Sequence, residues 1–117
     1  KIPIVSENLN MKKALNILSK KNLGVLIVRN KKNKTTGIIT DGQIRRFNHK
    51  KIDIKSLEVK KIMTKNPISI EKDALAAKAL SLMNNKKITS LCVYDKKNKF
   101  KTVGVIHIHH ILQSNIS

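Results

Sequence analysis

The amino-acid sequence predicts a mixed α/β (α+β) fold in which two β-α-β-β-α repeats pack as a pseudo-two-fold pair. The first observation is a near-duplication, because residues 13–34 and 78–99 match at ten of 22 positions at a constant offset of 65. After a two-residue shift the pairing continues, with 37–39 against 104–106. The second observation is that each copy has a helical apolar stripe followed by two β-branched segments. Two copies of one supersecondary unit predict halves that face each other across a cleft, a natural place for a small ligand.

The elements of the first copy follow from periodicity and turn chemistry. A stripe spaced i, i+3, i+4 and i+7 predicts an amphipathic helix, and it is formed by Met11, Ala14, Leu15 and Leu18. β-branched content predicts strands, and polar residues predict the turn that joins two of them. The first copy is predicted to begin with a strand at 2–5, followed by the helix that contains this stripe. Two strands come next, at 25–29 and 37–40, joined by a turn at 30–34, and a second helix runs from 41 to about 49. Ser6 and Asp41 are the expected helix caps.

The second copy repeats this order. Its helical stripe is formed by Ala76, Ala79, Leu80 and Met83, with Asp73 as the expected cap. The predicted segments are a strand at 68–70, that helix, strands at 90–94 and 103–107 joined by 95–101, and a helix from 108 to about 114. Between the copies we expect a polar connector at 50–55 and a short turn of helix at 57–63.

Composition limits the class of partner. The chain has 117 residues and a net charge of +18, but only Arg29, Arg45 and Arg46 are arginine, and aromatic residues make up 3%. Base recognition favours arginine forks and single-strand binding favours aromatic platforms, so we expect no nucleic-acid partner. Lysine, asparagine and isoleucine are all encoded by A/T-rich codons, which accounts for the charge more simply.

The same composition bears on the compartment. The single cysteine, Cys92, excludes an internal disulfide and favours a reducing compartment, so we expect a cytoplasmic protein. No apolar run approaches the ~20 residues that span a bilayer, and we expect no membrane partner. The chain begins at Lys1 without methionine, so we expect a fragment of a longer protein.

A family resemblance rests on the junction of the copies. Residues 59–67 read V-x-x-I-M-T-x-x-P, and the whole resembles a tandem CBS-domain pair, or Bateman module. Further segments are similar to the C-terminal half of bacterial arabinose-5-phosphate isomerases, namely KNLG at 21–24, GIITDG at 37–42, IRR at 44–46, ITS at 88–90 and GVIHIH at 104–109. The resemblance covers essentially the whole chain.

This resemblance implies a regulatory module. In such isomerases an N-terminal sugar-isomerase domain interconverts ribulose 5-phosphate and arabinose 5-phosphate for synthesis of the lipopolysaccharide sugar Kdo. We expect that domain to be a partner, the CBS pair to form a homo-oligomer, and this fragment to hold no catalytic site. The expected division is repeat one at 1–50, a connector at 51–66 and repeat two at 67–117.

The resemblance also implies where a ligand binds. CBS pairs commonly carry G-x-x-[ST]-x-x-D at the end of each hairpin, and here both aspartate positions are changed. The candidate ligand-binding residues are Thr40, Asp41, Gln43, Thr64, Asn66, Thr89, Ser90, His107, His109 and His110. Gln43 and His110 stand at the aspartate positions and offer less acceptor capacity than a carboxylate. Their presence makes the cleft more cationic, which favours a ligand rich in anionic groups.

Each candidate also has a purely structural interpretation. Thr40 and Asp41 serve equally well as caps, and the short polar residues suit turns and strand ends. The histidines suit cleft lining or packing. Three of them in four positions, without cysteine or a second histidine cluster, argue against a metal site, and we predict no cofactor. Arg45 and Arg46 suit a phosphate, a neighbouring subunit or solvent, and Cys92 suits a buried position in a strand.

Three functional hypotheses remain open from sequence. The first is a sensor of an anionic nucleotide or nucleotide-sugar, of which the pathway end product CMP-Kdo is the leading candidate. The second is an adenine-nucleotide sensor fused to another sugar enzyme, such as a sugar nucleotidyltransferase. The third is a dimerisation scaffold that binds no ligand.

Overall fold

The same order of elements occurs twice along the chain. The computed structural model describes residues 2–21 and 24–109, and it divides the chain into two units, Lys1–Pro67 and Ile68–Ser117. The elements of the first unit are β1 (Ile4–Ser6), α1 (Met11–Lys21), β2 (Val25–Arg29), β3 (Thr35–Thr40), α2 (Asp41–His49), α3 (Val59–Ile62) and β4 (Thr64–Lys65). Its sheet has the order β1-β2-β3-β4, with β1 parallel to β2 and the other pairs antiparallel.

The second unit has a smaller sheet. Its elements are β5 (Ser69–Glu71), α4 (Ala76–Lys86), β6 (Ser90–Asp95) and β7 (Asn98–His107). The strand order is β5-β6-β7, again with a parallel first pair and an antiparallel hairpin. A helix begins at Ile108, and the rest of the predicted helix at 110–114 lies outside the described residues. The mixed α/β class is therefore confirmed in both units.

Strand registers reproduce the duplication. In the first unit Ile4 pairs with Ile27, and in the second Ser69 pairs with Cys92. The hairpins pair Val25 with Thr40 and Ser90 with His107, and both shift register after the same equivalent valine, which is Val28 in one unit and Val93 in the other. These pairs keep the offsets of 65 and 67 that the sequence showed. The internal repeat is thus a repeat of backbone hydrogen bonding as well as of residue type.

Each unit has its own core. The first core contains the predicted helical stripe, since Met11, Ala14 and Leu18 are buried against Leu26 and Ile39. In the second, Ala79 and Met83 are buried against Leu91, but Ala76 is exposed and departs from the predicted stripe. A buried leucine or methionine side chain contributes roughly 1.5–3 kcal/mol relative to an exposed one, so these faces fix the helices on their sheets.

The helix caps differ from prediction. Ser6 instead accepts from the backbone N–H of Asn8 in a turn, and Asn10 Oδ1 caps α1 by accepting from the N–H of Lys12 at 2.8 Å. The cap of α2 is Thr40, and Asp41 is the first helical residue. In α4 the predicted cap Asp73 lies in a turn two residues ahead of the N-cap Leu75, whose side chain makes no capping hydrogen bond.

The second hairpin is longer than predicted. Strand β7 starts at Asn98, and the turn is only Lys96 and Lys97 where a loop over 95–101 was expected. Asp95 Oδ1 accepts from the N–H of Lys97, which holds this turn. Lysine is common in the predicted loop but does not prevent strand pairing when its side chain points to solvent.

Residues 51–66, expected to connect the repeats, pack within the first unit. The predicted turn of helix at 57–63 is observed as the four-residue helix α3. Ile54, Val59 and Ile62 are buried in the first core, and β4 extends the sheet. We call residues 54–66 the cover segment. The three-part division of the sequence stays a prediction.

Charge on the described surface is compensated at a few points. Ion pairs join Lys60 to Glu58 at 3.3 Å, Lys72 to Asp95 at 3.1 Å and Lys96 to Glu71 at 3.6 Å. All three pairs are at least partly exposed, so each contributes little to stability. Among the described residues, the helices are all too short or too polar to cross a membrane.

Candidate functional site

Two equivalent strand-to-helix junctions carry most of the candidate residues. In the first unit β3 passes directly into α2, and the N–H of Asp41 donates to the carbonyl of Gly24 at 3.0 Å. In the second unit β7 passes into the helix at Ile108, whose N–H donates to the carbonyl of Thr89 at 2.8 Å. The same hydrogen bond therefore fixes the start of the second helix in both repeats.

Thr40 shapes the first junction. Its backbone is extended, and its Oγ1 accepts from the N–H of Gln43 at 3.2 Å, which satisfies one of the free donors of the first turn. Asp41 follows it and is exposed in that turn, where a carboxylate is favoured by the helix dipole. Gly24 has φ +68°, and a Cβ there would lie 2.7 Å from Asp41 Oδ2. Glycine is therefore required for both its backbone and its contact with the carboxylate.

Gln43 lies inside the first unit. The residue is 8% exposed, and its Nε2 donates a hydrogen bond to the backbone carbonyl of Ile62. Its Oε1 is buried and has no hydrogen-bond partner among the described residues. The side chain thus ties α2 to α3 and retains one unused acceptor. Nothing local in the sequence indicated the contact with Ile62, which is nineteen residues away.

Two arginines stand beside the first turn of α2. Arg45 Nη2 and Arg46 Nη1 each lie 3.7 Å from the position that a Cβ of Gly42 would occupy. Both arginine residues are exposed. Guanidinium groups next to the N-terminal turn of a helix give this end of the first unit a positive field.

Thr64 and Asn66 lie beside the same sheet. Thr64 is exposed in β4 and pairs with Ile38 of β3, two residues before Thr40. Asn66 is exposed with φ +51°, and its N–H donates to the carbonyl of Thr36 at 3.2 Å. The five candidates of the first unit therefore lie close to β3. Thr40 ends this strand, Asp41 and Gln43 lie in the first turn of α2, and Thr64 and Asn66 lie in and just after the neighbouring strand β4.

The candidates of the second unit surround the other junction. Ser90 pairs with His107 across the hairpin, directly after Thr89. The Nδ1 atom of His107 accepts from the N–H of His109 at 3.2 Å, and their rings stack with centroids 4.8 Å apart. His107 thus takes the position that Thr40 has in the first repeat. His110 lies outside the described residues.

Neither a metal centre nor a reactive thiol is present in the described part. Groups of three or more metal-ligating side chains are absent from residues 2–21 and 24–109. Cys92 is buried in β6, as predicted, and burial raises the pKa of its thiol to about 11, although a hydrogen bond with Thr102 lowers it in part. At neutral pH this thiol is protonated, so it is a poor nucleophile.

Comparisons with known proteins agree on one family. The family model of the CBS domain matches residues 1–50 and 59–116. Protein RP505 of Rickettsia prowazekii is 39% identical over 116 residues, which is 99% of this chain and 35% of that protein. Arabinose 5-phosphate isomerase KdsD of Escherichia coli is 32% identical over 115 residues, 98% of this chain and 34% of the isomerase. The chain thus spans about a third of the length of these relatives.

Solved structures show the same fold. The CBS domain pair of protein MJ0100, in complex with 5'-methylthioadenosine and S-adenosyl-L-methionine, has a TM-score of 0.82 and 25% sequence identity. The match covers 98% of this chain and 89% of that one.

Proposed function

Because the chain belongs to the CBS-domain family, we propose that it is the ligand-sensing regulatory pair of a cytoplasmic arabinose-5-phosphate isomerase. The support is its 32% identity to KdsD over 98% of its length. The isomerase activity would reside in the remaining two-thirds of the parent protein, and this fragment would have no catalytic role of its own.

The ligand in this proposal is an anionic nucleotide or nucleotide-sugar such as CMP-Kdo. The observation that carries it is the first junction, where Thr40, Arg45 and Arg46 surround the N-terminal turn of α2. Backbone N–H groups, a hydroxyl and two guanidinium groups are the donors that phosphate and carboxylate prefer. A ligand with both kinds of anion would use a site of this type fully.

The remaining candidates would orient the ligand. Asp41 accepts hydrogen bonds from sugar hydroxyls, and Thr64 and Asn66 offer short polar groups to a base or sugar edge. In the second repeat, Thr89, Ser90, His107, His109 and His110 would have the same task. Gln43 would act mainly through α2, because its amide is already hydrogen-bonded to Ile62.

Regulation would follow from differential binding. A ligand that fits one arrangement of the parent protein better than another shifts the equilibrium between them. Coupling of this kind is worth about 1–3 kcal/mol, a 5–150-fold change in affinity or population. The effector would act on the isomerase domain or on its homo-oligomer.

The test is calorimetric titration of CMP-Kdo into the chain and a double variant, Thr40→Asn with His107→Asn. Asparagine retains an oxygen that can cap the helix, so the fold is preserved while the hydroxyl and imidazole are lost. We expect at least a tenfold weaker affinity. The matched control replaces the exposed Ser19 and His49 by asparagine and should bind normally. Equal affinity of the double variant would refute the assignment of these residues.

The structure of MJ0100 with two adenosine compounds favours a second candidate, an adenine-nucleotide sensor. The discriminating variant is Gln43→Asp, which restores the carboxylate that CBS pairs use for ribose hydroxyls. Both Gln43→Asp and the control Gln43→Asn shorten the side chain that donates to Ile62, and only the first carries a carboxylate. If adenosine phosphates are the ligands, Gln43→Asp should bind AMP more tightly than Gln43→Asn and be stabilised more by AMP. If neither AMP, ATP nor CMP-Kdo shifts the melting temperature and the chain dimerises with concentration, a scaffold role is indicated.

A further inference from the structure

Gln43 satisfies hydrogen-bonding groups at the ends of two helices. Its backbone N–H lies in the first turn of α2 and donates to Thr40 Oγ1 at 3.2 Å. Its side-chain Nε2 donates to the carbonyl of Ile62, the last residue of α3. The first turn of a helix has free N–H groups and the last turn has free carbonyls, so both bonds fill needs that the helices cannot meet themselves. Because both bonds start from one residue, the first turn of α2 is linked to the end of α3.

Helix α3 depends on contacts outside itself. It has four residues, far fewer than the ~12–15 that an isolated helix needs in water. Its start is held by a backbone hydrogen bond from the N–H of Val59 to the carbonyl of Leu9 at 2.8 Å. Val59 and Ile62 are buried in the first core. At its other end, the hydrogen bond from Gln43 holds the Ile62 carbonyl.

The residues after α3 lead the chain out of the first unit. The side chain of Met63 fills the space above Gly37, because a Cβ on that glycine would lie 2.7 Å from Met63 Cγ. Strand β4 then pairs with β3, and the N–H of Asn66 donates to a carbonyl of β3 at 3.2 Å. The first unit ends at Pro67 and the second begins at Ile68. The hold on the end of α3 therefore acts on the stretch that joins the two units along the chain.

The contact that Gln43 makes with Ile62 is closely balanced. Its Nε2 forms a hydrogen bond, but its Oε1 is buried without a partner among the described residues. A hydrogen bond formed inside a protein replaces one to water, whereas a buried acceptor without a donor loses its water outright, so the two effects oppose each other. A contact of small net stability opens and closes readily, and a ligand that favours its closed form shifts that equilibrium.

We propose that Gln43 is a positioning residue that couples an anion bound at the start of α2 to the cover segment. The ligand in this inference rests on the proposed function, whereas the coupling rests on the contacts of Gln43 alone. An anion that accepts from the free N–H groups of the first turn holds that turn in its helical form. The Gln43 side chain then has fewer conformations to lose when it donates to Ile62. Binding at α2 thereby slows the opening of α3 and of the chain that leads to Ile68.

The first experiment tests the coupling without a ligand. Thr40→Ala removes the oxygen that accepts from the Gln43 N–H and loosens the first turn of α2. Amide hydrogen exchange at Met63 and Asn66, measured by NMR relative to amides of β2, should become roughly threefold faster or more than in the parent chain. With Gln43→Leu already present, Thr40→Ala should add nothing at these two amides. An equal acceleration in both backgrounds, or none in the parent chain, would overturn the proposal.

The second experiment saturates the parent chain and Gln43→Leu with CMP-Kdo, with binding followed by calorimetry. We expect exchange at Met63 to slow by roughly threefold or more in the parent chain, and only the α2 amides to slow in the variant. Asn48→Ala alters an exposed position of the same helix and should respond as the parent chain does. Gln43→Met keeps the length of the side chain and replaces the leucine variant if that variant does not fold.

The outcomes separate this proposal from the proposed function. If CMP-Kdo slows Met63 equally in the parent chain and in the Gln43 variant, the coupling is refuted and the binding site stands. If CMP-Kdo changes no amide of α2, the ligand assignment fails, and the combination of Thr40→Ala with Gln43→Leu still decides whether the coupling exists.

Discussion

The hydrogen bond from Gln43 to the carbonyl of Ile62 allows a sharp test of how the cover segment is held. Replacing the amide by a carboxyl, Gln43→Glu, keeps the shape of the side chain but exchanges its donor for an acceptor. At neutral pH an ionised carboxylate would face the Ile62 carbonyl in a site where the native residue is 8% exposed. We therefore expect the first unit to lose stability.

The magnitude follows from the contacts. The Ile62 carbonyl loses its donor, which costs about 1–3 kcal/mol for a buried group. Desolvation of the introduced charge adds a cost that rises until the carboxyl protonates. Gln43→Leu is the matched control, because it removes the same donor but also the unpartnered Oε1, whose burial is itself unfavourable. Its penalty should be smaller, about 1 kcal/mol or less.

The two variants should also differ in pH dependence. A protonated carboxyl can donate to the Ile62 carbonyl as the amide does, so folding favours its neutral form and raises its pKa above the unfolded value of about 4.3. The extra penalty of Gln43→Glu is then absent below about pH 4 and grows as the pH rises through the folded-state pKa. Gln43→Leu should differ from the parent chain by a constant amount.

The assay is urea unfolding followed by NMR on amides of β2 and β3, at several pH values, with the parent chain subtracted. A penalty for Gln43→Glu that does not change between pH 4 and 7 would refute the reasoning. So would a variant as stable as the parent at neutral pH, because the amide would then not be buried against a carbonyl.

Two further predictions concern stability. Burial raises the pKa of Cys92 to about 11, above the unfolded value of about 8.5. The stability that the buried neutral thiol gives to the second unit is therefore fully present at neutral pH and is lost as the pH rises from about 9 to 11. Cys92→Ala should therefore flatten the alkaline decline of the second unit in denaturation curves; an unchanged slope would contradict this. Asn10→Ala should destabilise α1 by about 0.5–2 kcal/mol, whereas Ser6→Ala should cost less. Thermal melts of the two variants measure this difference. A larger loss of melting temperature for Ser6→Ala than for Asn10→Ala would indicate that Ser6 is the cap.

Periodicity in the sequence predicted most of the fold. Strand β2 spans the predicted residues 25–29 because its β-branched content is high, and the predicted stripe Met11, Ala14 and Leu18 forms the buried face of α1. The repeat predicted an equivalent hairpin in each copy, and the structure gives these hairpins equivalent registers, with Val25 opposite Thr40 and Ser90 opposite His107. These features depend on neighbours along the chain, which a single sequence displays.

Features that depend on distant contacts were missed. Leu57–Met63 suggested a turn of helix, but nothing in the sequence showed that Ile54 and Val59 would complete the first core. Serine and asparagine have similar preferences for the cap position, so the cap of α1 at Asn10 instead of Ser6 depends on where the helix begins. The roles of the candidate ligand residues stay predictions, since caps and ligand sites use the same side chains.

The excess of lysine over acidic residues sets how the folded chain responds to its medium. Twenty-five basic groups outnumber seven acidic ones, so repulsion between like charges exceeds attraction over the chain as a whole. Mobile anions at ~0.1 M reduce such repulsion to a range of about 10 Å. Lower ionic strength should therefore reduce the free energy of unfolding, and added salt should raise it. A surface stabilised by pairs of opposite charges would show the reverse dependence.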